Sequence, residues 1–257
     1  MSTQANNDQY HGHDDDGHHR HQQAAGDVLA GMSTNAEESR QVYDEWASQY
    51  EPDVQKWGYQ LPEQVSTLLA KYVTSPDTKY VPHKTSILDA GAGSGLVGSM
   101  LRKQPGFDQS QAFIIGADYS TEMLKMAASR QCYDALVQLD LNKTPFCNNQ
   151  LSQAFLNGDN AQTSVNIFDA ILSVGTMTYV DPNAGTLREF CRWVKPGGYI
   201  CYTHRTDKLE AFRQQEEAME QEGIWKLVEK VGPLPYLPSH PDYANDIQVV
   251  IHLYQKA

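Results

Sequence analysis

Residues 87–98 read ILDAGAGSGLVG, from Ile87 to Gly98. The apolar start, Ser86 to Asp89, predicts a short strand. The end of the run opens a helix over about Ser94 to Lys103. Between them Asp89, Gly91, Gly93 and Gly95 form D-x-G-x-G-x-G. A backbone without Cβ atoms can turn sharply and come close to a ligand. A glycine-rich loop on its own is equally a tight strand-to-helix turn, so the surrounding pattern has to decide.

Downstream, apolar runs alternate with helical periodicity. Ala112 to Ala117 (AFIIGA) predicts a second strand that ends at Asp118. Ser120 can cap the next helix, with Glu122 in its first turn, where a carboxylate suits the helix dipole. Leu136 to Leu141 predicts a third strand, and Ile167 to Val174 (IFDAILSV) a fourth. Leu187, Phe190, Cys191 and Val194 give i, i+3, i+4, i+7 spacing for a helix stopped by Lys195-Pro-Gly-Gly198. Tyr199 to Thr203 predicts the fifth strand. Strands alternating with helices mean α/β: a Rossmann-like, mostly parallel sheet with helices on both faces. Trp225 to Val231 and Asp246 to Tyr254 have no obvious helix between them. They predict a C-terminal antiparallel strand pair joined by the proline-rich stretch from Gly232 to Pro241.

Upstream, Glu38 to Tyr50 sets Val42, Tyr43, Trp46 and Tyr50 at helical spacing. A second helix is expected from Pro62 through Tyr72, then a loop over Ser75 to Lys84. Residues 1–35 form a polar His/Asp-rich tail in which His11 to His21 hold five of the chain's nine histidines. So few apolar residues cannot offset the entropy of ordering, and disorder is expected there. Histidine-rich tracts can bind metal, but a solvated tail is the simpler reading and no metal site is expected. The expected organisation is therefore the tail plus one domain over 36–257, with a helical lid over 36–75.

The formal net charge of −12 repels a phosphate backbone, which argues against nucleic acid as partner. Cys132, Cys147, Cys191 and Cys201 are scattered and read as reduced thiols. No apolar run approaches the roughly 20 residues of a membrane span, and the N-terminus lacks the apolar core of a signal peptide. A cytoplasmic protein without a membrane partner is the default expectation.

Two further acids strengthen the loop as a binding site. Asp118, at the end of the second strand, can accept hydrogen bonds from both hydroxyls of a ribose. Asp140-Leu141, after the third strand, could take an adenine amino group, although Asp140 reads equally as a turn cap. The ordered series strand-DAGAGSG-helix, strand-AD-YS-helix, FDAILSVG and VKPGGYI resembles the class I S-adenosylmethionine-dependent methyltransferases from about Tyr43 to the C-terminus. YDEWASQY, ILDAGAGSGLVG, ADYSTEML and THRT resemble more closely the Williams–Beuren-region methyltransferase-like subfamily. The resemblance implies S-adenosylmethionine as cofactor. It places Asp89, Gly91, Gly93 and Gly95 around the methionine moiety, Asp118 with Tyr119 at the ribose, and Asp140 with Leu141 at the adenine. Ser173 to Gly175 would line the reacting side. The rival, a nicotinamide-linked oxidoreductase, expects G-x-G-x-x-G against a diphosphate, beside which Asp89 would sit badly.

Methyl transfer relies on alignment, which can contribute about 7–11 kcal/mol, and needs a base only if the nucleophile must lose a proton. Tyr43, Trp46 and Tyr50 could pack on a sulfonium by cation–π attraction of about 0.5–2 kcal/mol. The alternative is a core-packing stripe, favoured more for Trp46 than for Tyr43. His204 could deprotonate an acceptor and Arg205 could grip a carboxylate in bidentate fashion. Their bland reading is a surface loop with Arg205 paired to Asp207. Tyr179 and Asp181 are weaker candidates. The N/D-P-P-Y/F motif that methylates amino groups of bases or glutamines has no counterpart at Ser173-Val174-Gly175-Thr176. The expected substrate is therefore a small molecule, methylated on O, S or N, and carboxylate-bearing if Arg205 is an anchor. The alternatives are a protein methyltransferase, or a non-catalytic S-adenosylmethionine-binding protein acting through a partner.

Overall fold

In a computed structural model of the chain, residues 29, 32–73, 84–146, 151, 153–154, 165–244 and 246–257 are described. The histidine-rich tract, most of the expected loop over Ser75 to Lys84, and Cys147 lie outside them.

Among the described residues, seven strands form one sheet: β1 (Thr85–Ala90), β2 (Ala112–Asp118), β3 (Ala135–Gln138), β4 (Phe168–Ser173), β5 (Val194–Arg205), β6 (Trp225–Pro235) and β7 (Gln248–Lys256). Their spatial order is β3-β2-β1-β4-β5-β7-β6. The first five run parallel, and β7 is antiparallel to both β5 and β6. In β1 every residue after Thr85 is buried, as expected for a strand covered on both faces. The strand order reverses between β1 and β4. In an open α/β sheet, that is where ligands settle, outside the carboxyl ends of the strands.

The helices are α1 (Ala36–Lys56), α2 (Leu61–Val73), α3 (Leu96–Leu101), α4 (Thr121–Ser129), α5 (Thr186–Trp193) and α6 (Glu210–Gln221). Asn35 caps α1 by accepting from the Glu37 and Glu38 N–H groups. The helix runs past the expected end at Tyr50 and through Pro52, since Val54 and Trp57 bury beyond it. Ser120 caps α4 as expected, accepting from the Met123 N–H at 3.0 Å. The α6 helix was not anticipated. Its buried stripe is Phe212, Glu216 and Met219, and a glutamate in the middle breaks the apolar signal. That glutamate accepts from the Tyr202 hydroxyl of β5. The expected fifth strand proves longer, pairing from Val194 through Arg205. No helix among the described residues is long and apolar enough to cross a membrane.

Beside the sheet, Phe146, Phe168, Phe190 and Trp193 share a core cluster with Leu88, Ile115 and Ile171. Glu189 on α5 is 6% exposed and holds this corner together. It accepts from the Phe146 N–H at 2.8 Å and from the Trp193 indole N–H at 2.9 Å, and pairs with Arg192. Buried donors left without a partner cost about 1–3 kcal/mol each. Glu189→Ala is expected to lower unfolding free energy by about 2–4 kcal/mol in urea titrations, and Glu189→Gln by clearly less. Equal effects would show that the hydrogen bonds are not what matters.

Candidate functional site

The carboxyl ends of β1, β2 and β4 meet around the glycine loop. At Gly91 (φ +85°) an added Cβ would lie 2.2 Å from the Thr176 Oγ1, so only glycine admits the turn that follows β4. At Gly93 (φ +53°) an added Cβ would meet nothing within 4 Å, so the loop faces open space there. The Gly93 N–H donates to Asp118 Oδ2 at 2.8 Å, and the Ser120 N–H donates to Oδ1 at 2.9 Å. Each carboxylate oxygen keeps acceptor capacity beyond that bond. Burial pushes the Asp118 pKa up, while these backbone bonds pull it down.

Asp89 is fully buried. Its Oδ2 accepts from the Tyr133 hydroxyl at 2.7 Å, and its Oδ1 has no hydrogen-bond partner among the described residues. Burial drives its pKa up to about 7, with the Tyr133 bond opposing and the Asp118 charge adding to the rise.

Five tyrosines from four regions of the chain gather beside this loop. Tyr43 and Tyr50 of α1 stand with ring centroids 6.2 Å apart. Tyr59, just before α2, and Tyr236, just after β6, meet edge to face at 5.9 Å. The Tyr59 hydroxyl lies 2.6 Å from where a Gly175 Cβ would sit. Tyr179 follows β4 and lies close enough to Tyr43, Tyr50, Tyr59 and Tyr236 that ionising it would disfavour ionising them. Burial pushes the pKa of all five upward, so they are neutral hydroxyls at physiological pH.

The other expected residues fall into two groups. Trp46 is 6% exposed, donates to Asp53 Oδ2 at 2.8 Å and packs on Trp57 at 5.7 Å, as its core reading anticipated. Ser173 spends its hydroxyl on the Ala90 carbonyl at 2.8 Å, tying β4 to β1. Leu141 is a core residue whose carbonyl accepts from Thr186. Asp140 accepts from the Asn142 N–H at 2.9 Å and lies 3.3 Å from the Lys143 ammonium, and Asp181 caps a short turn. Tyr119 donates to Glu37 of α1 at 3.1 Å.

His204 and Arg205 are not brought together. The His204 ring packs on Phe212 of α6 at 4.9 Å, its Nε2 buried without a partner, and burial lowers its pKa. Arg205 points the other way, its guanidinium 5.2 Å from the Tyr243 ring and doubly bonded to Asp207 at 3.0 and 2.7 Å. The Asp207 pairing is that of the surface-loop reading, but the surface position is not: Arg205 is 6% exposed and therefore buried. Tyr59, Tyr133, Tyr236 and Tyr243 were not singled out from the sequence. Each is an isolated aromatic whose meaning comes from the neighbours the topology supplies.

A family model described as a methyltransferase domain matches residues 83–237. Human Methyltransferase-like protein 27 is 30% identical over 189 residues, which cover 72% of this chain. The match takes in 66% of that relative, just under two thirds of its length. The chain belongs to the class I S-adenosylmethionine-dependent methyltransferases.

Two solved methyltransferases share the fold. A TehB-like S-adenosylmethionine-dependent methyltransferase from Corynebacterium glutamicum aligns with a TM-score of 0.52 at 18% identity, over 83% of this chain and 98% of that one. Another S-adenosylmethionine-dependent methyltransferase, from Thermotoga maritima, gives 0.50 at 18% identity, over 83% and 97%. For this methyltransferase the cofactor is S-adenosylmethionine, and the loop suits it. Space opens at Gly93, acceptor capacity remains on Asp118, and a buried acidic oxygen on Asp89 lacks a partner.

The raised pKa of Asp89 has a definite sign. Its carboxyl holds a proton more tightly folded than unfolded. Its contribution to the stability of ligand-free protein is therefore full below its ordinary value of 3.8 and is lost as pH rises through about 7. His252, pushed down to about 4, acts oppositely across the same range. The comparison must therefore be with Asp89→Asn, which keeps an acceptor for Tyr133. The melting temperature of wild type relative to Asp89→Asn is expected to fall between pH 4 and pH 7. Parallel profiles would refute the assignment.

Proposed function

We propose that the chain transfers the methyl group of S-adenosylmethionine to an O, S or N atom of a small acceptor enclosed by Tyr43, Tyr50, Tyr59, Tyr179 and Tyr236. The observation that carries this reading is the gathering of the tyrosine set beside the glycine loop. Tyr179, Tyr236 and Arg205 are at most 8% exposed and Tyr43, Tyr50 and Tyr59 are half-buried, which suits a small molecule better than a polypeptide. The net charge of −12 weighs against a nucleic-acid acceptor.

When bound, the cofactor supplies a methyl carbon activated by its sulfonium. Asp118 would accept from the ribose hydroxyls while keeping its grip on the glycine loop, with Tyr119 beside it. Asp89 would balance the amino group of the methionine moiety, for which its unpartnered oxygen provides an acceptor. Asp140 and Leu141 would border the adenine. Tyr43 and Tyr50 would lay neutral rings along the sulfonium. Residues 36–257 would act as one domain with α1 and α2 as a lid. The lid is fastened by Asp44 to Ser120 at 2.5 Å and by Glu51 to Arg130 at 2.5 Å. Among the described residues, His204 does not face the tyrosines, and alignment without a general base accounts for the chemistry. Buried free thiols at Cys132, Cys191 and Cys201 fit the reducing cytoplasm.

The test is calorimetric titration of S-adenosylmethionine and S-adenosylhomocysteine into wild type, Asp118→Ala and Asp118→Asn, followed by transfer of labelled methyl to a metabolite panel. Wild type is expected to bind in the micromolar range. Loss of charge-assisted hydrogen bonds in Asp118→Ala should weaken binding about ten- to a hundredfold. Asp118→Asn should fall between, since it retains one acceptor oxygen. Label should appear in a small molecule; label only in polypeptide, or indifference to Asp118→Ala, would sink the reading.

A further inference from the structure

The Tyr179 hydroxyl is buried and has no well-formed hydrogen bond among the described residues. Orphaned polar groups in native interiors call for an explanation. What surrounds this one is cationic or donating. Burial raises its pKa, while the Arg205 guanidinium and the Tyr236 hydroxyl beside it draw the pKa down, although neither closes a well-formed bond to it. The Lys208 ammonium stands 5.5 Å from the Tyr179 ring centre.

Arg205 is held in one orientation. Its backbone N–H donates to the Thr178 hydroxyl at 3.2 Å, its guanidinium lies against the Tyr243 ring, and Asp207 occupies the Nε–Nη2 edge. A guanidinium offers five N–H donors in a planar fork. With one edge filled, the end-on edge of Nη1 and the second Nη2 hydrogen closes no well-formed bond among the described residues, and the Tyr179 hydroxyl lies beside the guanidinium.

We propose that the methyl acceptor carries a carboxylate, held by this end-on edge of Arg205 together with the Tyr179 hydroxyl and bordered by Tyr236. The proposal rests on the preceding reading that a small acceptor sits against the tyrosine set. It adds Tyr179 as the residue that sets specificity. An ionised carboxylate fits the fork of Arg205 and accepts from the neighbouring hydroxyl in short, charge-assisted bonds. A carboxamide of the same shape brings no charge, and it brings N–H groups that face donors. Asp207 keeps the guanidinium turned so that the free edge, and not the filled one, is presented.

The experiment uses full-length protein loaded with S-adenosylhomocysteine and titrated with benzoate and phenylacetate, each beside its carboxamide. The acids are expected to bind at least about tenfold tighter than the amides. Tyr179→Phe removes one oxygen atom and should erase about tenfold of that preference, with S-adenosylhomocysteine affinity and melting temperature retained. Equal binding of acid and amide, no binding of either acid at millimolar concentration, or an unchanged preference in Tyr179→Phe would overturn the proposal. Failure of S-adenosylhomocysteine to bind would sink the broader reading as well. Intact cofactor binding with methyl transfer confined to neutral or cationic small molecules would sink this proposal alone.

Discussion

The Asp118 carboxylate is the joint on which the site is built. One oxygen accepts from the Gly93 amide of the loop after β1, and the other from the Ser120 amide at the head of α4. Ser120 passes the connection on, donating through its hydroxyl to Asp44 of α1. Three segments far apart in sequence are thereby positioned from a single side chain. Backbone N–H groups that bond an ionised acceptor are about twice as effective as neutral pairs. This is why a half-buried carboxylate can be a structural element and still have acceptor capacity for a ligand. A substitution at Asp118 therefore disturbs the loop whatever it does to a ligand, and the graded Ala and Asn pair is what separates the two.

The electrostatics of the loop are those of a site that awaits positive charge. The Asp118 charge raises the cost of ionising Asp89, and one Asp89 oxygen has no hydrogen-bond partner among the described residues. The tyrosines nearby add no further negative charge, because burial keeps them neutral. A ligand with an ammonium and a sulfonium answers both features, the first by pairing with a carboxylate and the second by resting on ring faces. Arg205, the buried cation beside Tyr179, is set apart from this acidic side and largely neutralised by Asp207. The two groups thus differ in character, acidic at Asp89 and Asp118 and donor-rich at Arg205 and Tyr179. An acceptor with a carboxylate at one end would be oriented by that asymmetry alone.

The parts of the fold that were legible in the sequence are those where local signals and burial agree. The apolar cores of β1, β2 and β4, the Ser120 cap, and the end of α5 before Lys195-Pro-Gly-Gly198 all emerge where expected, as does the C-terminal antiparallel pair. Where tertiary burial overrides the local signal, reading failed. α6 was missed because its stripe carries Glu216, made tolerable by the Tyr202 hydroxyl. The extension of α1 past Pro52 depends on Val54 and Trp57 finding cover. In the candidate site, the glycine loop and Asp118 stood out because their spacing is constrained by backbone geometry. Tyr59 and Tyr236 did not, since nothing local relates them. They meet only because the chain returns to the same sheet edge after β6.

The contrast between His204 and Arg205 shows how the sheet selects among candidates. Adjacent residues on a strand project to opposite faces, so at most one of the two can look toward the tyrosines. Which one is decided by register, and the register of β5 is fixed on its far side by β7. Seven consecutive antiparallel pairs run from Tyr199 opposite Gln255 to Arg205 opposite Val249. On one face Tyr202, His204 and His252 turn to α6, where Tyr202 meets Glu216 and the Tyr202 and His252 rings pack at 5.3 Å. On the other, Thr203 accepts from the Gly175 N–H at 2.8 Å, and Arg205 reaches Asp207 and Tyr243. A slip of one residue would exchange the faces, sending an imidazole toward the site and a guanidinium into an apolar interior. Burying an unpaired guanidinium is far costlier than burying a neutral imidazole. The antiparallel addition at the C-terminus, remote from the glycine loop, thus determines which side chain faces Tyr179.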